Sequence, residues 1–301
     1  MMVREFVDGL DIDQVLLVRD RSRSALRLGD RTGSMSARVP SELAGCCVPG
    51  TPVRVTARVC GEELEVHAVR VASEDEYDLT ELLDGPPRSA TGMEADLREL
   101  LATIQDPHLR ALLDQVFGAK SPTWRQFRDA PAAKRYHQAY RHGLLEHSLT
   151  VAQAVSAISA TFPGIDRDVA VTGALLHDIG KLEAYTADPR AIDMTDLGKL
   201  QGEIPLGYYR IRRLIEDLPG FPEQLAAAVL HIILSHHGQL EHGSPVVPCT
   251  REATLVHMID NLGGRLGSFD RLEKELPDGS AWSPFDRALS GSAWFSERRA
   301  A

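Results

Sequence analysis

The sequence predicts a multi-domain α and β chain, a small N-terminal β-barrel followed by an all-α domain. Three observations predict it. From Val7 to Ala72 the apolar residues come in short alternating runs cut by glycine and proline. A charge run, Glu74-Asp75-Glu76-Tyr77-Asp78, and the breaker Gly85-Pro86-Pro87-Arg88-Ser89 then interrupt the chain. Beyond them the apolar spacing lengthens to that of helices.

The strand candidates are Asp13–Val18, Ser24–Leu28, Val53–Val59 and Glu63–Val69, with turn signals at Gly29-Asp30, Pro49-Gly50 and Gly61. So many strands in so short a segment point to a closed barrel, with an OB-like fold the leading candidate. Residues 1–84 are assigned to the barrel and its linker, and 90–301 to the helical domain. Barrels of this kind commonly hold single strands by stacking bases on aromatic rings. Here no Phe, Tyr or Trp lies between Val7 and Glu76, and Arg19, Arg21, Arg23, Arg27, Arg31 and Arg38 are offset by acids. A nucleic-acid grip and a plain packing module both stay open for the barrel.

Helical periodicity covers Met93–Ile104, Leu109–Phe117, Leu144–Phe162, Arg167–His177, Leu206–Leu218, Glu223–Ser235 and Glu252–Leu266. Pro163-Gly164, Pro219-Gly220 and Gly243-Ser244-Pro245 separate these segments. The net charge of −10 excludes a protein that coats nucleic acid by bulk electrostatics. Cys46, Cys47, Cys60 and Cys249 show no Cys-x-x-Cys spacing and read as buried reduced thiols. The start, Met1-Met2-Val3-Arg4-Glu5, has no signal-type apolar core, and no apolar run would span a bilayer. The expectation is a cytoplasmic protein with no membrane partner.

The chemistry is concentrated in Gly173-Ala174-Leu175-Leu176-His177-Asp178-Ile179-Gly180-Lys181. A buried ionisable pair is costly unless compensated, and a divalent metal is the usual compensation. Further donors lie on or beside the helices at His147, Glu203, His236-His237 and Asp260. Imidazole with carboxylate suits Mn²⁺, Fe²⁺, Co²⁺ or Zn²⁺, and the set lacks the thiolates of a structural zinc site. An aspartate can bridge two ions, an arrangement suited to displacement at phosphorus by a metal-activated hydroxide. Lys181 reads either as a solvated lysine at a helix C-terminus or as a point charge on a substrate phosphate. His67, His108, His231 and His242 read as ordinary core or surface histidines.

With these residues in view, the pattern resembles the HD superfamily of metal-dependent phosphohydrolases. A first His, an adjacent His-Asp and a distant Asp are matched by His147, His177, Asp178 and Asp260. The resemblance extends to the YhaM-type 3′-to-5′ exoribonucleases, which join an OB-fold to an HD domain. Tyr136-His137-Gln138-Ala139-Tyr140-Arg141-His142-Gly143-Leu144-Leu145-Glu146-His147 is similar to their approach to the first ligand. Ile233-Leu234-Ser235-His236-His237-Gly238, with Glu241, Gly243-Ser244-Pro245 and Pro248, is similar to their late histidine motif. Trp282 to Leu289 resembles their closing segment, while the barrel rests on Gly29-Asp30-Arg31-Thr32-Gly33. Two positions depart from the pattern. Glu203 stands where the resemblance implies a histidine, and Gly263-Gly264-Arg265 where it implies Asp-Ala-Lys.

What the resemblance implies is a 3′-to-5′ exoribonuclease acting on single-stranded RNA with one or two divalent ions, Mn²⁺ foremost. His147, His177, Asp178 and Asp260 would hold one ion, with Asp178 bridging. Glu203, His236 and His237 would hold a second ion or the substrate phosphate. Lys181 would steady developing charge, and His142 or His237 would protonate the leaving 3′ oxygen. Lys181, Arg141, Tyr140, Glu241 and Ser244 would contact substrate. Two rivals stand beside this reading: a nucleotide or cyclic-nucleotide phosphodiesterase with a regulatory barrel, and a non-catalytic nucleic-acid-binding protein. Homo-oligomerisation is left open.

Overall fold

The computed structural model describes residues 1–21, 26–40, 42–134, 138–274, 276 and 279–296. Arg23, Ser24, Ala25, Tyr136 and His137 lie outside the described residues. The chain divides into two compact units, Met1–Gly85 with Asp188–Asp193, and Pro86–Ala187 with Met194–Ala301.

The first unit is a closed barrel of β1 (Asp11–Arg21), β2 (Leu26–Asp30), β3 (Gly33–Arg38), β4 (Pro52–Cys60) and β5 (Glu63–Val71). Its order is β1-β2-β3-β5-β4, closed by β1 against β4. The β3–β5 pairing is parallel and the others antiparallel, so the topology is that of an OB-like barrel. Alternation follows from the pleat: Val53, Val55, Ala57 and Val59 of β4 face inward with Leu64 and Val66 of β5. Register shifts that leave Arg19 of β1 and His67 of β5 unpaired bend those two strands around the barrel.

Strand β3 was not expected from the sequence, because Gly33-Ser34-Met35-Ser36 offers no apolar alternation, and no residue of the strand is fully buried. It is held by its hairpin with β2. A Cβ on Gly29 would meet Gly33 O at 2.4 Å, so only glycine permits that approach. Beside it, buried Asp30 accepts from Val3 N (2.7 Å), Thr32 N (2.7 Å) and Thr32 Oγ (2.6 Å). A short helix, α1 (Leu79–Leu82), follows the barrel, and Arg19 donates to both Asp30 O and Leu82 O. All four cysteines are free, but the burial expected for them holds fully only for Cys47; Cys60 and Cys249 are exposed.

The second unit is helical: α2 (Ala90–Ala102), α3 (Pro107–Phe117), α4 (Pro122–Asp129), α5 (Gly143–Ser159), α6 (Arg167–Leu176), α7 (Lys181–Ala184), α8 (Asp196–Gln201), α9 (Glu203–Glu216), α10 (Glu223–Ser235) and α11 (Arg251–Lys274). Proline at the first position behind the caps Asp106 and Ser121 starts α3 and α4. Helix α6 is central and buried from Val169 through Leu176. Gly173 lets α10 approach it, since a Cβ there would lie 2.3 Å from Ile232 Cδ1. Helix α11 runs past the expected end at Leu266, through Gly263-Gly264, because Ser268 and Leu272 are buried further along. The tail folds back through bridges Trp282–Trp294 and Asp286–Gly291, with Arg271 donating to Asp286. Among the described residues no helix is long and apolar enough to cross a membrane.

The buried Asp30 carboxylate gathers three donors that lose their acceptor if it is removed. Asp30→Ala is expected to destabilise the barrel by roughly 1–3 kcal/mol. Urea unfolding of the full chain checks this, and an unchanged midpoint would contradict it.

Candidate metal centre

Four helices deliver the site. His147 projects from the second turn of α5, and Asp260 from the middle of α11. Helix α6 ends at Leu176, leaving His177 as its C-cap and Asp178 in the turn that leads to α7. Helix α10 ends at Ser235, leaving His236 in the equivalent position. The last carbonyls of a helix lack partners within it. His177 Nδ1 donates to Ala174 O at 2.7 Å, and His236 Nδ1 donates to Ile233 O at 2.8 Å. A carbonyl can only accept, so each Nδ1 carries the proton and, on a neutral ring, each Nε2 presents a bare lone pair.

Those lone pairs converge. His147 Nε2 lies 3.1 Å from His177 Nε2, 3.1 Å from Asp178 Oδ2 and 3.1 Å from Asp260 Oδ1. His177 Nε2 is 3.3 Å from Asp178 Oδ2, and His236 Nε2 is 3.5 Å from Asp178 Oδ1. Two donors at roughly 2.0–2.2 Å from one ion stand about this far apart. Both Asp178 Oδ1 and His236 Nε2 are buried without a hydrogen-bond partner among the described residues. Buried orphans are rare, and two of them facing each other mark the place of a cation. Ligand atoms of His147, His177 and Asp178, and of His177, His236 and Asp260, fall within 4.8 Å of one another.

The electrostatics agree. Burial would lower the His177 imidazole, but the Asp178 charge and the hydrogen bonds that the ring donates to Asp178 and Asp260 push it up to about 10. Burial likewise works against His147, which the same two carboxylates nevertheless raise. Burial would raise Asp178, yet Lys181 and His177 hold it well below the usual carboxylate range, and His147 and His177 do the same for Asp260. His236, governed by burial, moves down and stays neutral. The carboxylates demand positive charge, which protons supply until a metal displaces them.

Asp178 has two different sides. Its Oδ2 faces His147 and His177 and accepts from Lys181 Nζ at 2.7 Å, while its Oδ1 faces His236. Beyond His236, the half-buried His237 points Nε2 at Glu203 Oε1, 3.7 Å away, with its Nδ1 donating to His242 O. Glu203 is the first residue of α9, and Gly180 lets that helix start lie directly against the His-Asp turn. A Cβ on Gly180 would meet Glu203 O at 1.9 Å and Gly207 N at 2.5 Å. Lys181 is the first residue of α7, with 13% of its side chain exposed, so it is not the solvated C-terminal lysine of one reading.

The remaining candidates lie outside the cluster. Tyr140 donates to Glu146, and the exposed Arg141 pairs with Asp129. His142 caps α5 in a left-handed conformation, with Nδ1 donating to Arg128 O at 2.7 Å. Glu241 is exposed on a 3₁₀ turn, whereas Ser244 is buried and its hydroxyl donates to Leu234 O. Sequence reasoning gave no role to Gln138, Gly180, Gly238 or His257. Gln138 contacts His147 Nδ1 at 3.1 Å, and His257 Nδ1 donates to His236 O at 2.7 Å. Gly238 makes room for that ring, since a Cβ there would come within 2.0 Å of it. The retained histidines behave as ordinary groups: His231 accepts from Cys249 N, and His108 packs edge-on against Phe221.

Residues 144–264, which include every residue of the cluster together with Glu203 and His237, match the HD domain family. A metal-binding HD-domain hydrolase carrying an OB-like barrel ahead of its catalytic domain is therefore the class of this protein. The chain is 29% identical over 287 residues, 89% of its length and 87% of the relative's, to the 3′-5′ exoribonuclease YhaM of Geobacillus sp. (strain WCH70). Over that span it is similar to this YhaM-type relative, and it shares with the HD family the stretch that carries the cluster. No solved structure matches the chain.

Two outcomes are expected. Mn²⁺ at about a hundred times its Kd should stabilise the protein by about 2.7 kcal/mol, reversibly with chelator. A His177→Ala, Asp178→Ala double variant should show no such shift in its thermal melt. Gly180→Ala should cost roughly 1–3 kcal/mol and weaken metal binding by displacing Glu203. Gly263→Ala, which meets nothing within 4 Å inside α11, should be neutral or stabilising. Equal effects of the two glycine substitutions would refute the close-approach argument.

Proposed function

We propose that the protein is a 3′-to-5′ exoribonuclease that hydrolyses phosphodiester bonds of single-stranded RNA with divalent metal. The observation that carries the reading is the two-sided Asp178, whose Oδ2 faces His147 and His177 while its Oδ1 faces His236. The similarity to a relative named as a 3′-5′ exoribonuclease, over most of both chains, supports the substrate and polarity. A divalent ion bound there supplies Lewis acidity and lowers the pKa of water to near neutrality.

The chain's own residues then divide the work. His147, His177, Asp178 and Asp260 would hold one ion, and Asp178 Oδ1 with His236, His237 and Glu203 would form a second position. The oxygen of Glu203, added to a set without thiolate, favours Mn²⁺ over softer ions, with Fe²⁺, Co²⁺ and Zn²⁺ as further candidates. Lys181, held on Asp178, keeps a fixed positive charge where negative charge grows on the phosphoryl oxygens. If only one ion is held, the Nε2 of His237 stays free beside Glu203 and His237 is the better placed proton donor to the leaving 3′ oxygen, because His142 is tied to α4. Arg141, Tyr140, Glu241 and Ser244 are weaker candidates for substrate contact, since three of them are exposed or already bonded and Ser244 is buried. Four free thiols support a reducing, cytoplasmic setting.

One observation favours a second reading. The barrel between Val7 and Glu76 lacks the aromatic rings that stack bases, which suits a nucleotide or cyclic-nucleotide phosphodiesterase better. RNA oligomers blocked at the 3′ or the 5′ end, and mononucleotides, separate the two when each is incubated with Mn²⁺ and with chelator. Stepwise shortening from a free 3′ end, lost on 3′ blocking, with chelator and in the His177→Ala, Asp178→Ala variant, is expected. Turnover of mononucleotides without shortening of RNA would overturn the reading.

A further inference from the structure

A histidine ligand must keep its second nitrogen protonated and hydrogen-bonded so that the first offers a lone pair to the metal. His177 and His236 meet this locally, because each ends a helix where the carbonyl three residues back is free. His147 has no such provision. It lies inside α5, whose carbonyls are engaged along the helix. Its Nδ1 faces instead Gln138 Oε1 at 3.1 Å, on the loop that precedes α5.

An amide can present either end, so this contact alone does not set the ring's tautomer. Glu146 resolves it. The Gln138 amide nitrogen lies 3.4 Å from Glu146 Oε2, and the Tyr140 hydroxyl donates to the same oxygen. A carboxylate accepts and cannot donate. The amide nitrogen must therefore face Glu146, its oxygen must face His147, and His147 must hold its proton on Nδ1. Nε2 is thereby freed toward the cluster.

The loop is built to keep the amide there. Gln138 is one of three non-glycine residues with positive φ (61°) among the described residues. Such a conformation is costly and persists only where the surroundings impose it. Its carbonyl accepts from Ala132 N, and Gly143 leaves the room, since a Cβ at Gly143 would lie 2.0 Å from Gln138 O.

We infer that Gln138 is a positioning residue for the metal centre: oriented by Glu146, its amide oxygen fixes His147 in the Nδ1-protonated form that presents Nε2 to the metal. The inference rests on the cluster being a metal centre and is independent of the substrate. The test is Zn²⁺ affinity of the full chain by chelator competition, with ¹⁵N-histidine spectra of the Zn²⁺-loaded protein and far-ultraviolet circular dichroism as a folding check. Gln138→Met keeps the length and removes the acceptor. It should weaken Zn²⁺ binding by roughly 10–100-fold, the usual effect of losing a ligand's hydrogen-bond partner. The His147 Nδ1–H signal should lose its hydrogen-bonded shift. The swap Gln138→Glu with Glu146→Gln restores acceptor to donor in the opposite sense and should recover most of the affinity. Wild-type affinity in folded Gln138→Met would overturn the inference. So would a loss that the swap does not repair, because that would mark Gln138 as a packing residue only. RNA hydrolysis is not read, so failure here leaves the proposed reaction untouched, and absence of nuclease activity leaves this inference untouched.

Discussion

The structure depends on one expensive act, the burial of Asp178. A carboxylate sunk among apolar helices without compensation would take up a proton or unfold its surroundings. Here it is ringed by His147, His177, His236 and Lys181. Much of the helical unit can be read as the means of assembling that ring. Helix α6 is buried from Val169 through Leu176 so that its end reaches the interior, and Gly173 brings α10 close enough to set His236 against His177. Gly180 does the same for the start of α9 and Glu203.

Helix ends are the recurring device. At a C-terminus the free carbonyls set an imidazole tautomer without help from elsewhere, and two of the three buried histidines of the cluster, His177 and His236, sit on C-caps. At an N-terminus the helix dipole favours negative charge, and Glu203 is the first residue of the 14-residue α9. Residues inside helices need partners from outside. His147 draws on the loop before α5, and the His236 turn is steadied by His257 of α11.

What the sequence revealed follows from which costs are local. Adjacent ionisable pairs inside apolar runs are conspicuous, so His177-Asp178 and His236-His237 stood out, and His147 and Asp260 joined them as the other members of the motif. Strands β4 and β5 and the long helices were legible because a buried face repeats along them, and β1 because Leu16-Leu17-Val18 is a continuous apolar run. Strand β3 was not, since it is held by backbone pairing on both edges with little apolar payload. The short α4, α7 and α8 offered too few turns for a period to register. Gln138 and Gly180 escaped for a different reason. Their roles exist only through contacts with residues from other elements, and nothing in their own neighbourhoods of sequence announces a hydrogen bond to His147 or a helix start within 2 Å of a missing Cβ. Lys181 was seen, but its burial could not be read before Asp178 was known to be its partner.

The charge count explains why an anionic substrate suits this centre. Asp178, Asp260 and Glu203 bring three carboxylates near one ammonium, Lys181, leaving two negative charges. A single divalent ion balances them. A second ion, on the more open side where His237 keeps 29% of its side chain exposed, would leave the centre positive until something anionic arrived. A phosphodiester is such a group, and the exposed edge of His237 would let it reach that side from solvent. Glutamate at position 203 shifts this balance relative to a neutral imidazole by one negative charge. In the proposed centre it would therefore strengthen the hold on the ion and weaken the pull on the substrate, so affinity for metal and affinity for phosphate would trade against each other at that residue.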